Sequence, residues 1–415
     1  MRICVVGAGI VGATTALALA RENHDVTLLD REGVAAGASG GNAGAFAFAD
    51  VIPLATPGIL KKAPKWLLDP LGPLSIPPAY ALQIAPWLVR YWRASWRDRY
   101  AAALKAQSDL MRVSQSALDA MVADLSLAEL IRPEGQMQVY QGEAAFRASQ
   151  NGWEERRRAG VKFDLLTSAG AIAEIQPGLD ARFTHAGFTP DWKNVTDPSV
   201  WTQRIVLEAQ RFGANFHLRD VTRIAPAEQG ASVHAAGWTE VFDRVVVCTG
   251  AYGAPLLKSL GIKLPLETER GYNTTLPAGA LDLRTHLTFS DHGFVVSKIG
   301  TGVRVGGAVE LGGLKLPPRM ARADALLSKA QQFLPALNTE GGTQWIGFRP
   351  SMPDSLPVLG PHPDISSVVF AFGHGHLGLT QSAGTAQLIA DMIAGRPSDL
   401  DVTPFSPTRF AGIRR

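Results

Sequence analysis

Residues 1–30, MRICVVGAGIVGATTALALARENHDVTLLD, constrain the fold more than any other stretch of this chain. A short apolar run at 3–6 has the length of a buried strand. It leads directly into Gly7-Ala8-Gly9-Ile10-Val11-Gly12, a complete G-x-G-x-x-G. An Ala-rich helical stretch follows, and a second apolar run at 26–29 ends on Asp30. Strand, glycine turn, helix, second strand and terminal acid in this order form the dinucleotide-binding fingerprint in its full context. Gly7 permits the tight turn, Gly9 lets the backbone approach a pyrophosphate, and Gly12 lets helix and strand pack closely. The helix N-terminus presents unpaired N–H groups and a partial positive charge to the phosphates. Asp30 can accept hydrogen bonds from ribose hydroxyls, which favours FAD or NAD over NADP. The glycines interrupt the apolar stretch, so it does not read as a secretory leader.

The length of 415 residues suggests two or three domains. A net charge of +3 gives no argument for nucleic acid. The two cysteines, Cys4 and Cys248, lie in apolar strand-like runs, which predicts buried thiols rather than a disulfide, a metal site or a nucleophile. No run approaches the ~18 apolar residues of a membrane span, and the expected compartment is the cytoplasm.

Farther along, 35–44 (AAGASGGNAG) is a small-residue stretch against which a ligand can lie, with Ser39 and Asn42 as hydrogen-bonding groups. Residues 61–100 hold Trp66, Trp87, Trp92 and Trp96, a run of prolines and seven Lys or Arg against two Asp. That composition suits either an anionic membrane face or a helix whose aromatics pack on their own protein. Helical spacing covers 101–130, and a further helix is expected over 144–159. Asp197-Pro198 sets an N-cap and first position for another helix, with Trp201, Ile205, Ala209 and Phe212 on one face. Strands are expected at 137–140, 161–166, 216–221 and 241–247, the last running into Thr249-Gly250-Ala251. Alternation over 263–315 predicts an antiparallel sheet with strands at 271–276, 287–290, 293–298 and 303–307.

The final third opens with 347–360, GFRPSMPDSLPVLG, expected as a rigid Pro-rich loop carrying Arg349. An apolar strand at 368–372 then meets Gly373-His374-Gly375-His376-Leu377-Gly378-Leu379-Thr380 before a helix over 382–393, stopped by Gly395. A glycine turn at a helix N-terminus suits an anion or a polarised carbonyl. His374 and His376 lack further partners nearby, which favours pocket lining over metal ligation.

VVGAGIVG…LLD, SGGNAG, ERGYN, GFRPSMPDSLPVLG and GHGHLGLTQSAG together resemble the D-amino acid dehydrogenase branch of the D-amino acid oxidase, glycine oxidase and sarcosine oxidase superfamily. The resemblance spans essentially the whole chain and is loosest over 140–195. It implies an α/β protein, α+β overall. A discontinuous Rossmann-like FAD-binding domain (1–84, 196–262, 341–415) would carry an inserted antiparallel-sheet substrate domain (85–195, 263–340). It implies a noncovalent FAD and no metal. Gly7, Ala8, Gly9, Ile10, Val11 and Gly12 would surround the pyrophosphate, and Asp30 and Arg31 the adenosine ribose. Ser39, Gly41, Asn42, Ala43 and Gly44 would run along the flavin. Val221 would bracket the adenine, and Thr249, Gly250 and Ala251 would support the diphosphate. Gly375, His376, Leu377, Gly378, Leu379 and Thr380 would face the isoalloxazine.

The carboxylate-binding Arg of the family's G-x-R-P motif maps onto Arg349, whose fork matches a carboxylate in a bidentate way. Tyr272 and Arg270 are further substrate-binding candidates, and Tyr272 and His376 join Arg349 as catalytic ones. Glycine oxidases carry an Arg where this chain has His376, which argues against a plain glycine oxidase. The implied reaction is oxidative deamination of a D-amino acid, a cyclic one such as D-proline or hydroxy-D-proline included, by hydride transfer from Cα to flavin N5. It needs no acid–base residue if the amine binds neutral. Electrons would pass to a quinone or other carrier, which the 61–100 segment could approach from the inner membrane face. An oxygen-using sarcosine- or glycine-type oxidase, an aromatic hydroxylase and a partner-dependent dehydrogenase subunit stay open, as does oligomeric state.

Overall fold

The computed structural model describes residues 1–59 and 72–410. The opening fingerprint forms the middle of a six-stranded sheet. Arg2–Val6 lies between Asp25–Asp30 and Arg244–Val247, parallel to both. Asn215–Leu218 and Val368–Phe372 extend the parallel order on the two sides, and Val358–Pro361 closes one edge antiparallel. Central parallel strands are covered on both faces and so read as unbroken apolar runs. Ile3 and Val5 face a helical layer of Ile10–Arg21, Pro198–Arg211, Gly378–Ala394 and Arg97–Asp124. Cys4 and Val6 face the opposite core, roofed by the antiparallel strands Val221–Pro226, Ala231–Ala235 and Trp238–Phe242. Both cysteines are free and buried.

The second large sheet runs in the order Thr343–Ser351, Glu267–Leu276, Gly302–Glu310, Phe294–Ile299, His286–Phe289, Gln136–Gln141, Phe183–Thr189, Asp164–Leu166. Its pairs are antiparallel except for His286–Phe289 beside Gln136–Gln141. Leu74–Ser75 adds a short parallel pairing to Gly302–Glu310. Phe183, Phe289, Phe294 and Phe333 pack ring on ring in its core.

Several expected boundaries move. The run 241–247 is two strands in two sheets. It breaks at Asp243, whose carboxylate accepts the Arg2 N–H at 2.7 Å and whose own N–H donates to the Arg2 carbonyl at 2.9 Å. Residues 343–351 are not part of a loop but an edge strand of the second sheet, where Pro350 is tolerated. That strand, expected within the segment 341–415 of the first domain, pairs in the second sheet. Helix Arg97–Asp124 moves the other way: Leu110, Leu118 and Met121 recur at helical spacing and are buried in the core of the first sheet. The expected N-cap is present, with Asp197 Oδ1 accepting the N–H groups of Ser199 at 2.7 Å and Val200 at 3.0 Å.

Candidate active site

The two sheets flank one cavity of about 1220 Å³, larger than the ~300–1,000 Å³ of an ordinary small-molecule site. Helices Ile10–Arg21 and Gly378–Ala394 both begin on it, and neither N-cap residue, Gly9 or Leu377, supplies a side-chain cap. Gly7 holds a φ of +108°, and a Cβ there would lie 2.5 Å from the Cys248 carbonyl oxygen. A Cβ on Gly12 would lie 1.8 Å from the Gly7 oxygen, so this glycine serves close packing behind the turn. Ser39 Oγ accepts the Ile10 N–H at 2.9 Å and draws the small-residue loop over the helix start. Asn42 rigidifies that loop by donating to the Ser39 carbonyl and accepting from the Gly44 N–H, both at 2.7 Å.

Asp30 accepts three backbone N–H groups, from Ala8 at 2.7 Å, Glu32 at 2.9 Å and Gly33 at 3.0 Å, and still borders the cavity. The Arg31 guanidinium stacks 4.0 Å above the Tyr252 ring. Val221, Thr249, Gly250 and Ala251 complete this end of the wall. The buried hydroxyl of Thr249 has no partner among the described residues. Two helix starts without a side-chain cap from their N-cap residues, an orphaned wall hydroxyl, a turn with no room for side chains and an acid beside it fit FAD. Gly9, Ile10, Val11 and Asp30 would hold its nucleotide part, and the turn Gly375, His376, Leu377, Gly378, Leu379 its ring system.

At the other end lies Arg349. Its strand runs antiparallel to Glu267–Leu276, with Arg349 opposite Glu269 and Gly347 opposite Gly271. A Cβ on Gly271 would come within 2.3 Å of Arg349 Nη2, so the glycine is the space in which the guanidinium lies. The neighbouring strand carries a bulge, since Arg270 pairs with Glu310 while Tyr272 pairs with Gly307. Bulges re-aim backbone groups beside sites, and here Arg349 Nη1 donates to the Ala308 carbonyl at 3.0 Å. Ala308 holds a φ of +55°. Burial presses the Arg349 pKa downward while Glu269 supports its charge.

Glu269 also receives His376 Nε2 at 2.6 Å. Burial favours the neutral acid, but His376 and Arg349 outweigh it and hold the carboxyl below its ordinary value. Asp50 and Arg156, 3.5 Å apart, line the same cavity, and burial lifts the Asp50 carboxyl above its ordinary value against the pull of Arg156. Trp192, His286, Gln136 and Gln138 border it as well. Burial pushes His286 down to about 4.

Most expected site residues meet on this cavity: Gly7, Gly9, Ile10, Val11, Asp30, Arg31, Ser39, Gly41, Asn42, Ala43, Val221, the 249–251 turn, 375–379 and Arg349. Others do not. Arg270 is 0% exposed and spends its donors on Glu310 and the carbonyls of Gly313, Leu316 and Pro317, so it braces the sheet and is no substrate ligand. Tyr272 borders the cavity, but its hydroxyl donates to Glu310 at 3.0 Å and accepts from the Arg319 N–H at 3.1 Å. Its hydrogen is therefore not available to a substrate. Thr380 is not on the wall itself: its Oγ1 accepts from the Ala47 N–H at 2.9 Å and donates to the Ala45 carbonyl, bracing the backbone of two residues that do line the cavity. Ala8, Gly12 and Gly44 stand behind the wall: Ala8 is fully buried, and Gly44 turns beside Ile299 and Val195. His374 borders the cavity, as expected of a pocket-lining residue, with a ring nitrogen 2.9 Å from Thr385 Oγ1, and burial pushes its pKa down to about 3.

Sequence reasoning missed Glu269, Asp50 and Arg156. The signal for Glu269 was present: side chains alternate along a strand, so Glu269, Gly271 and Asn273 of ETERGYN share the face opposite Arg270 and Tyr272. Asn273 Nδ2 indeed donates to the Gly41 carbonyl at 2.8 Å.

The 61–100 segment divides. Residues 61–71 lie outside the described residues. In helix Ala81–Ala94, Ile84 and Trp87 are buried, Trp87 and Tyr91 stack at 5.2 Å and both line the cavity. Leu82, Val89, Trp92 and Trp96 are exposed, Leu82 at 92%. No helix among the described residues is long and apolar enough to cross a membrane.

Residues 2–392 match the family model described as FAD dependent oxidoreductase, DAO. A D-amino-acid oxidase of Bradyrhizobium diazoefficiens is 34% identical over 98% of both chains. A D-amino acid dehydrogenase of Rhizobium johnstonii is 31% identical over 99% of this chain and all of its own. Among solved structures, glycine oxidase from Geobacillus kaustophilus superposes with a TM-score of 0.78 at 22% identity, over 99% of this chain and 100% of its own. L-proline dehydrogenase from P. horikoshii gives 0.76 at 18% identity, over 99% and 97%. With the glycine turn, two helix starts and the half-buried Arg349 already on one cavity, the chain belongs to the DAO family of FAD-dependent oxidoreductases.

Proposed function

We propose that this enzyme oxidatively deaminates D-amino acids. The observation that carries the reading is Arg349, a half-buried guanidinium in the space left by Gly271, in the same cavity as an uncapped helix start. The fork takes the substrate carboxylate in two parallel hydrogen bonds and fixes where Cα lies. Bound FAD supplies the two-electron acceptance. The substrate's Cα–N single bond becomes an imine, which water hydrolyses to a 2-oxo acid and ammonia. A cyclic amine gives a cyclic imine instead. The names of the relatives support D-stereochemistry and the choice of an amino acid. Domain roles follow the two sheets, the six-stranded one holding the nucleotide and the second one the substrate.

The electron acceptor in this reading is a quinone or other carrier met at the cytoplasmic membrane face. Leu54 and Trp92 border the cavity yet are exposed, so its mouth opens beside Leu82, Val89 and Trp96. Arg93 stacks 4.3 Å over the Trp96 ring, and Arg90, Arg97 and Arg99 lie close by in sequence, a composition suited to an anionic headgroup layer. Flotation with anionic but not zwitterionic vesicles tests this part.

Anaerobic addition of D- and L-amino acids, glycine, sarcosine and the proline and hydroxyproline stereoisomers to the yellow protein tests the reaction. Bleaching of oxidised flavin by D-isomers supports the reading, and the fastest of them names the substrate. Bleaching by sarcosine or glycine alone moves the enzyme to the amine oxidases. No bleaching by any of them overturns it.

A further inference from the structure

Glu269 has no part in holding a substrate carboxylate, which an anion would repel. It is nonetheless 5% exposed on the wall of the cavity, where an ionised group is costly unless paired. Its close partner is His376, Nε2 to Oε2 at 2.6 Å, with Arg349 opposite it in the strand register. An ionised carboxylate only accepts hydrogen bonds, so Nε2 carries the hydrogen, which leaves Nδ1 as the acceptor whenever an imidazole so placed is neutral. The His376 side chain is 34% exposed and borders the cavity.

We propose that His376 Nδ1 accepts a proton from the α-ammonium of the bound amino acid, with Glu269 as the positioning residue that fixes the tautomer and balances the imidazolium. The inference rests on the proposed amino-acid oxidation. An N–H bond of the ammonium breaks, an Nδ1–H bond forms, and the freed lone pair stays on the substrate nitrogen. That pair is what the second C–N bond of the imine is made from, and bound FAD would supply the two-electron acceptance that this oxidation requires. After turnover the imidazolium returns its proton to water.

The charges facing His376 are compatible with this cycle. Glu269 and Arg349 lie on the two paired strands, Asp50 on the loop below and Arg156 on helix Gly142–Arg158. Tyr91 comes from helix Ala81–Ala94, its hydroxyl donating to the Leu54 carbonyl at 2.7 Å. Once a substrate carboxylate occupies Arg349, the Glu269 charge is left to compensate the imidazolium.

The test is the anaerobic flavin-reduction rate of the holoenzyme from pH 6 to 10 with the fastest D-amino acid, for wild type, His376→Asn, Glu269→Gln and Asp50→Asn. General base catalysis contributes ~10²–10⁴-fold. His376→Asn is expected to lose about 100-fold or more near neutral pH and to regain the wild-type rate at alkaline pH, where the free amine is already neutral. Glu269→Gln is expected to fall ~10-fold or more with its acid limb displaced, while binding of a 2-hydroxy acid analogue, which carries no ammonium, stays unchanged in His376→Asn. Nitrogen-15 spectra of labelled histidine should show the Nε2–H tautomer at His376 without substrate. A pH-independent loss in His376→Asn, an unchanged profile, or the wild-type dependence vanishing in Asp50→Asn instead overturns the inference alone. Failure of the wild type to be reduced by any amino acid overturns the reading beneath it.

Discussion

Gly271→Ala adds a single carbon to the cavity wall, and the structure fixes where it falls. The new Cβ would lie 2.3 Å from Arg349 Nη2, 2.5 Å from Cζ and 2.8 Å from Nη1. Ordinary contact begins near ~3.4 Å, so the guanidinium must retreat by about 1 Å. The backbone cannot open to spare it, because Glu267–Leu276 is laddered to Thr343–Ser351 over nine register pairs and to Gly302–Glu310 on its other side. Gly271 itself has no left-handed φ, so alanine is not strained at that position. The retreat breaks the 3.0 Å bond to the Ala308 carbonyl and tilts the fork away from the substrate carboxylate. A displacement of ~1 Å costs about 100-fold in rate, or ~2.7 kcal/mol of transition-state stabilisation. The assay is kcat/KM for the best D-amino acid, with flavin content and Tm measured alongside. A ~100-fold loss with full flavin content and little change in Tm is expected. Arg349→Ala should lose at least as much while retaining FAD, and the double variant should be no worse than Arg349→Ala alone, since the glycine acts only through that side chain. Activity of Gly271→Ala within about threefold of wild type, an interval much smaller than the factor worked above, refutes the reasoning.

Asp30→Ala leaves the N–H groups of Ala8, Glu32 and Gly33 without their acceptor. At ~1 kcal/mol or more for each lost partner, FAD affinity should fall at least tenfold, read as flavin released on gel filtration. Burial pushes Cys248 up to about 12 and raises Cys4 further, with Glu240 and Cys248 adding to the shift at Cys4. Neither thiol should therefore react with Ellman's reagent at pH 8 in the native enzyme, and both should react once it unfolds. His374 and His286 have folded pKa values pushed down by burial to about 3 and about 4. The unfolded chain then binds more protons than the native one below pH ~6.5, so stability is full above that pH and falls as pH drops toward 4. Each histidine contributes a slope of ~1.4 kcal/mol per pH unit. Urea midpoints at pH 7 and pH 5 should separate accordingly, and His374→Asn should flatten the dependence.

The fingerprint, the loop it meets and the final glycine turn were legible in sequence because each is local. Gly7, Gly9 and Asp30 act within one strand–turn–helix unit, whose backbone geometry dictates residue type at each position. Arg349 was legible by motif but was assigned to a loop. The Pro-rich run around it breaks ordinary strand patterning, and only the sheet edge explains how Pro350 is accommodated. The substrate end was read one residue out of phase. In a strand a shift by one reverses every side chain, so choosing Arg270 and Tyr272 selected the face that braces Glu310 and passed over Glu269, Gly271 and Asn273. Asp50 and Arg156 carried no local sign. They meet because helix Gly142–Arg158 packs against the loop at 49–50, where Arg156 Nε donates to the Ala49 carbonyl at 3.1 Å across 107 residues.

The division has a physical basis. In the proposed site the cofactor end is built from backbone N–H groups and glycine conformations, which a short segment specifies alone. The proposed substrate end is built from charges that three separate elements bring together: Arg349 and His376 hold the Glu269 carboxyl below its ordinary value against burial, and Glu269 supports the Arg349 charge. Altering His376 or Arg349 raises the Glu269 carboxyl, and altering Glu269 removes the charge that supports Arg349. Substitutions at this end should accordingly be non-additive, whereas Asp30→Ala combined with Gly271→Ala, at opposite ends of the cavity, should give the sum of the separate free-energy losses. A strong coupling between that distant pair would mean that the dinucleotide turn and the arginine strand move as one unit, contrary to the two-sheet construction of the site.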